Sequence, residues 1–160
     1  MTEDSAIRMT DQLYQLTEQQ AQEVLKAFLD AEANVFVGLL IGGVDLNYSE
    51  RSVVEALRHI ARDIELGLLS EEAHSVWFAR LGYYFGESLR RSKPNLRWGL
   101  GHQDYAFANH PVIIGFADEE EAPVITICKN MVMAVAEHLS PDTRIDKGVR
   151  NWFAKEIAGA

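Results

Sequence analysis

The chain has one cysteine, Cys128, among its 160 residues. An internal disulfide is therefore excluded, and so is a structural zinc site built on cysteines. Long apolar runs are also absent. The most apolar stretch, Val35 to Val44, is interrupted by Gly38, Gly42 and Gly43 and falls well short of the roughly 20 residues that cross a bilayer. The opening MTEDSAIRMTDQ has neither a basic start nor an apolar centre, so no secretory or transit signal is read there and a cytoplasmic protein without a membrane anchor is expected. Bases are scarce, with 15 Lys+Arg against 24 Asp+Glu and a formal charge of −9. Nonspecific nucleic-acid binding is disfavoured, because neutralising phosphates takes a basic face. No repeat, low-complexity tract or Pro- or Ser-rich linker divides the chain. One domain over residues 1–160 is expected, with 1–15 poorly ordered apart from docking by Leu13, Tyr14 and Leu16. At this length folding buries roughly 70% of the unfolded surface, so no metal or cross-link is needed for stability.

Catalytic signatures are missing as well. There is no HExxH, no P-loop and no G-x-S-x-G elbow, and Gly99-Leu-Gly101-His-Gln-Asp104 matches only the first half of a dinucleotide-binding loop. No cofactor and no metal is expected.

What is present is periodicity. Thr17-Glu-Gln-Gln20 is a capping box, and Ala21, Val24, Leu25, Phe28, Ala31, Val35 and Leu39 continue it as a helical stripe that Gly42-Gly43 stops. A second helix from about Ser49 carries Val53, Leu57, Ile60, Ala61, Ile64 and Leu68 on one face. A third follows Ser70, a good N-cap, with Glu71 and Glu72 in its first turn and Arg90, Arg91 and Lys93 at its end, as the helix dipole favours, and Pro94 closes it. Its apolar face is Ala73, Trp77, Leu81, Tyr84, Phe85 and Leu89, and a second face of small residues holds Ala79, Gly82 and Gly86. The period then drops to two. Leu96, Trp98 and Leu100 alternate with Arg97 and Gly99, Gly101 to Asp104 reads as a hairpin turn, and Tyr105 to Phe107 as the returning strand. Pro111 to Phe116 is a further strand-like run. Val124, Ile125, Thr126 and Ile127 are β-branched, and 124–128 reads as a short strand before a helix from about Lys129, although Val124, Ile127, Cys128, Met131, Val135 and Leu139 also fit one helical face. A last helix covers about 144–158. The fold class is therefore α+β: three N-terminal helices, a small, mainly antiparallel sheet of three or four strands, and two C-terminal helices.

Gly82 and Gly86 stand out, because each costs a helix interior about 1 kcal/mol relative to alanine. Close approach of another backbone is the simplest reason. Glu87 follows, with Arg90 one turn on, and is read as a structural anchor bonding the strand that contains Trp98, or else as an acid or ligand. His102, Asp104 and His110 cluster in sequence, but loop histidines on the surface are the simpler reading. Cys128 lies in an apolar stretch and reads as a small buried hydrophobe rather than a nucleophile. Asp118 to Glu121 is a solvated acidic loop.

Gly82-Tyr-Tyr-Phe-Gly-Glu87, then Trp98, then His-Pro-Val-Ile-Ile-Gly-Phe116, resemble a type of small uncharacterised bacterial α+β domain in which a G-x-Y-x-G-E helix precedes a tryptophan-bearing strand. The resemblance covers about residues 70–130 and rests on about six residues. Such groups include immunity proteins of polymorphic and contact-dependent toxin systems. The resemblance implies a noncatalytic domain that binds and blocks a basic toxin, and the acidity of the chain is compatible with that partner. The expected binding surface is Glu119, Glu120 and Glu121 with Tyr105 and Phe107. A small enzyme or ligand-binding domain around Glu87 and His110 is the alternative. A homo-oligomer is a third reading, motivated by Phe36, Leu40 and Ile41 outside the main stripe of the first helix.

Overall fold

The computed structural model of the protein describes residues 16–36, 43–102 and 106–159. Helix α1 spans Glu18–Phe36. It opens on the reciprocal cap expected from the sequence: Gln20 N–H donates to Thr17 Oγ1 at 3.2 Å and Thr17 N–H to Gln20 Oε1 at 3.0 Å. Backbone donors that have no partner inside the helix are thereby satisfied. Helix α2 spans Glu50–Glu65, and the Ser49 side chain caps it by accepting the Ser52 N–H at 3.1 Å. Its stripe buries Val53, Ala56, Leu57, Ile60 and Ala61 on one face. Helix α3 spans Glu71–Ser92, with Glu71 and Glu72 in its first turn and Arg90 and Arg91 in its last; Ser70 sits at the N-cap position, but its side chain makes no capping bond.

After α3 the chain forms an antiparallel pair, β1 (Arg97–Leu100) and β2 (Pro111–Ile114), with Trp98 opposite Ile113 and Leu100 opposite Pro111. Among the described residues the sheet has two strands, not three or four. Two segments make the difference. Phe107 is not on a returning strand; it lies in a turn where its carbonyl accepts the His110 N–H at 3.0 Å, and pairing resumes at Pro111. Tyr105 and Asp104 lie outside the described residues, as do Leu13, Tyr14, Leu40, Ile41 and the Phe36 side chain. The second segment is 124–128, which is helical. Helix α4 spans Val124–Ala136 and so begins well before Lys129.

The reason is visible one residue upstream. Ala122 exchanges both backbone hydrogen bonds with Ile113, each at 3.0 Å. Pro123 follows, has no N–H, and cannot extend that ladder. From there Val124, Cys128, Met131, Val132 and Val135 fall on one buried helical face. Burying that face outweighs the modest strand preference of the β-branched residues. Helix α5 spans Thr143–Ala154, ending short of the expected 158; the chain beyond it turns back, and Ile157 bridges to Phe116.

The core is built on α3. Phe78, Leu81, Tyr84, Phe85 and Leu89 pack among Leu57 and Ile60 of α2, Val124, Cys128 and Val132 of α4, and Ile145 and Val149 of α5. The most extensive contact is α3 on α4. It depends on Gly82, where a Cβ would lie 2.9 Å from the Ile125 Cα. Among the described residues no helix is long and apolar enough to cross a membrane.

Candidate functional site

Glu87 projects from the last third of α3 toward β1, and the sequence places four donors around it. Trp98 Nε1–H donates to Oε1 at 2.7 Å, Arg90 donates to both carboxylate oxygens at 2.8 and 2.9 Å, and Arg91 Nε donates to Oε2 at 3.3 Å. Helical spacing explains the arginines, since residues three and four apart share a face. Gly86 explains the tryptophan: a Cβ there would overlap the indole ring, so only glycine lets the six-membered ring of Trp98 come this close to α3. Tyr83 stacks on Trp98 with ring planes 9° apart, and Phe28 from α1 meets both rings edge-on. Arg91 also lies 3.7 Å over the Tyr48 ring.

Burial pushes the Glu87 carboxyl upward, but the hydrogen bonds from Arg90 and Trp98, with the arginine charges, outweigh it and hold the group below its ordinary value. An ionised, donor-saturated carboxylate resists protonation near neutral pH. It is a poor general acid and a strong fastener between α3 and β1.

The other candidates for chemistry are placed apart from this one. Cys128 is fully buried on α4, and burial alone pushes its thiol pKa up, so the nucleophilic thiolate is suppressed. His110 is buried too, which corrects the expectation of surface loop histidines; burial pushes its pKa down, and its ring meets Phe107 edge-on at 5.8 Å. His102 is exposed, and its backbone N–H is accepted by both Glu121 oxygens at 3.0 and 3.1 Å. None of the Glu87 donors is His102, His110 or Cys128. Among the described residues no group of three or more His, Cys, Asp or Glu side chains is placed to hold a metal ion.

The acidic loop is more tethered than its sequence implies. Asp118 accepts from Lys155 Nζ at 2.6 Å, and Glu120 closes on the same ammonium. Burial would lower the Lys155 pKa, but the bonds to Asp118 and Glu120 outweigh it and raise the pKa; the Lys155 contact depresses that of Asp118. Lys155 also lies 5.0 Å from the Trp152 ring centre. With Glu121 folded back on His102, Glu119 is left at the exposed tip, in the left-handed backbone region at φ 60°. Phe107 is half-buried beside His110 rather than displayed.

No protein-family model, curated protein or solved structure matches the chain.

One feature was not foreseen from the sequence. A cleft of about 510 Å³ runs between α4 and α5, lined by Arg144, Lys147, Asn130 and Asn151 over a floor that includes Met131 and Trp152. The signal for half of it was present: Arg144, Lys147 and Asn151 stand at i, i+3 and i+7 of the last helix, hence on one face. Asn130 belongs to a segment with strand-like residues before it, and only the helix–helix packing brings it across.

Proposed function

We propose that the chain is a noncatalytic protein-binding domain of the immunity or inhibitor type, acting by occluding a basic partner such as a toxin. The observation that carries this reading is the fate of the three groups best suited to chemistry. Glu87 is saturated with donors, Cys128 is sealed in the core, and His110 is buried with its charged form disfavoured. Each serves the packing of the fold, which leaves the acidic outer surface as the part free to act. Glu119 is the strongest single candidate for contact, because it is the loop acid with no internal duty.

The test is co-purification with the product of the neighbouring gene, followed by titration of the wild type and of Glu119→Lys. The substitution breaks no internal bond, so the fold is retained. A tight complex is expected that weakens severalfold in the variant and depends less steeply on salt. Equal affinity and equal salt dependence in the two proteins would remove Glu119 from the interface, and absence of any complex would remove the proposal.

A homo-oligomer remains a second reading, on a different observation from the sequence-based one. Leu66, Leu68 and Leu139 are 63%, 69% and 76% exposed, and a Glu65–His138 contact of 3.1 Å ties the ends of α2 and α4 from which Leu66 and Leu139 project. Sedimentation across a wide concentration range decides it: a monomer throughout excludes the oligomer.

A further inference from the structure

We infer that the α4–α5 cleft is a binding site for a small organic phosphate, one with a flat, largely apolar body. Its charge is the first reason. The chain carries 24 acids against 15 bases, yet the cleft is lined by Arg144 and Lys147 and by no carboxylate. The two acids at the start of α5 do not reach it: neither Asp142 nor Asp146 is a lining residue, and Asp146 is engaged by Arg58 instead. Among the described residues Arg144 and Lys147 form no ion pair. Two exposed cations one turn apart on one face, with no ion pair among the described residues, form a local positive field suited to an anion with several oxygens. Thr143, which also lines the cleft, opens α5, so the helix dipole adds to the same sign.

The remaining wall chemistry selects an organic body rather than a bare ion. Trp152 lines the cleft and is braced from elsewhere, with the Phe116 ring centre at 5.5 Å and Lys155 Nζ at 5.0 Å. A braced indole is a stacking surface that loses little entropy on binding. Met131 forms the floor because Gly148 lets α5 close on it; a Cβ at Gly148 would collide with the Met131 sulfur. Asn130 from α4 and Asn151 from α5 each offer an amide donor and acceptor, which suits ring edges or hydroxyls. A volume of about 510 Å³ lies within the roughly 300–1,000 Å³ of small-molecule sites.

The experiment titrates the full chain with adenosine monophosphate, phenyl phosphate, inorganic phosphate and adenosine. Heat of binding is read alongside the amide side-chain signals of Asn130 and Asn151 and the Trp152 indole signal. At least one of the two organic phosphates is expected to saturate and to shift all three signals. Inorganic phosphate and adenosine should bind more weakly than that ligand. The double variant Arg144→Gln with Lys147→Gln alters only exposed side chains, and its denaturant midpoint checks that folding is retained. It should weaken the organic phosphate by about tenfold or more. The assignment is overturned if neither organic phosphate saturates, if the double variant binds as well as the wild type, or if inorganic phosphate binds as tightly as the organic ones. Since the cleft and the acidic loop share no residue, a failure here leaves the protein-binding proposal standing, and the converse holds.

Discussion

At the scale of the residue, Glu87 accepts charge-assisted bonds from three side chains, two of them on α3 itself and the third, Trp98, reaching across from β1. Replacing it with glutamine keeps the volume but removes the charge and points an amide donor toward guanidinium donors. The loss expected at neutral pH is about 2 kcal/mol, below the figure for a fully buried pair because Arg90 and Arg91 are half exposed and screened. The pH dependence follows from the direction of the shift. Glu87 is depressed below its ordinary value of 4.5, so its contribution is complete above the unfolded-state pKa and is lost as pH falls through the lower folded-state value. Urea unfolding of wild type and Glu87→Gln at a series of pH values checks this: the gap between them should be widest near pH 7 and close in acid, whereas a constant gap contradicts it. Cys128 supports a second prediction at this scale. Fully buried on α4, it should resist a thiol reagent in the native state and react at the rate of unfolding or local opening. Prompt native labelling would contradict its placement.

Among the elements, α3 shows how a local penalty is offset by packing. Alanine at Gly82 or Gly86 would gain about 1 kcal/mol of helix propensity. The contacts decide against it. At Gly82 the new Cβ would meet the Ile125 backbone, at 2.9 Å from Cα and 3.0 Å from N, and backbone atoms cannot swing aside. At Gly86 it would meet the indole of Trp98 and strain the bond from Trp98 to Glu87. Both substitutions should destabilise, by about 2 kcal/mol each after the propensity gain, with Gly82→Ala displacing α4 and Gly86→Ala perturbing Trp98 fluorescence. Stabilisation by either variant in denaturant melts would show that the helices are not this close. The elements also show what could be read beforehand. The Thr17 capping box and the charged ends of α3 were legible because their partners lie three or four residues away, whereas the capping bond forms at Ser49 and not at Ser70, where it was expected. The 124–128 segment was not, because its β-branched residues satisfy both periods. What excluded a strand was Pro123 at the end of a one-residue bridge, and that bridge requires Ile113 from another part of the chain.

Over the whole molecule, the charge of −9 is less available than its sum implies. Lys155 engages Asp118 and Glu120, Glu121 is turned back on His102, and Glu119 alone in that loop faces outward unengaged. Lys155→Met keeps an apolar stem against Trp152 while releasing both carboxylates. Because both carboxylates are about half exposed, its effect on stability should be small, yet it should strengthen attraction to a basic partner by freeing two acids, a combination that denaturant melts and salt-dependent titration together verify. The division of labour follows from distance along the chain. Composition, caps and periodicity by themselves determined the α+β class, the three leading helices, the start of α1, both ends of α3 and most of the α3 core face, since those depend on neighbours within a turn or two; the end of α2 at Glu65, short of the expected Leu68, was not among them. Only the tertiary structure decided the two-strand sheet, the helical start of α4, the engagement of the acidic loop by Lys155 and the cationic cleft between α4 and α5. Each of these joins residues distant in sequence, and their energies arise from contacts that no local pattern encodes.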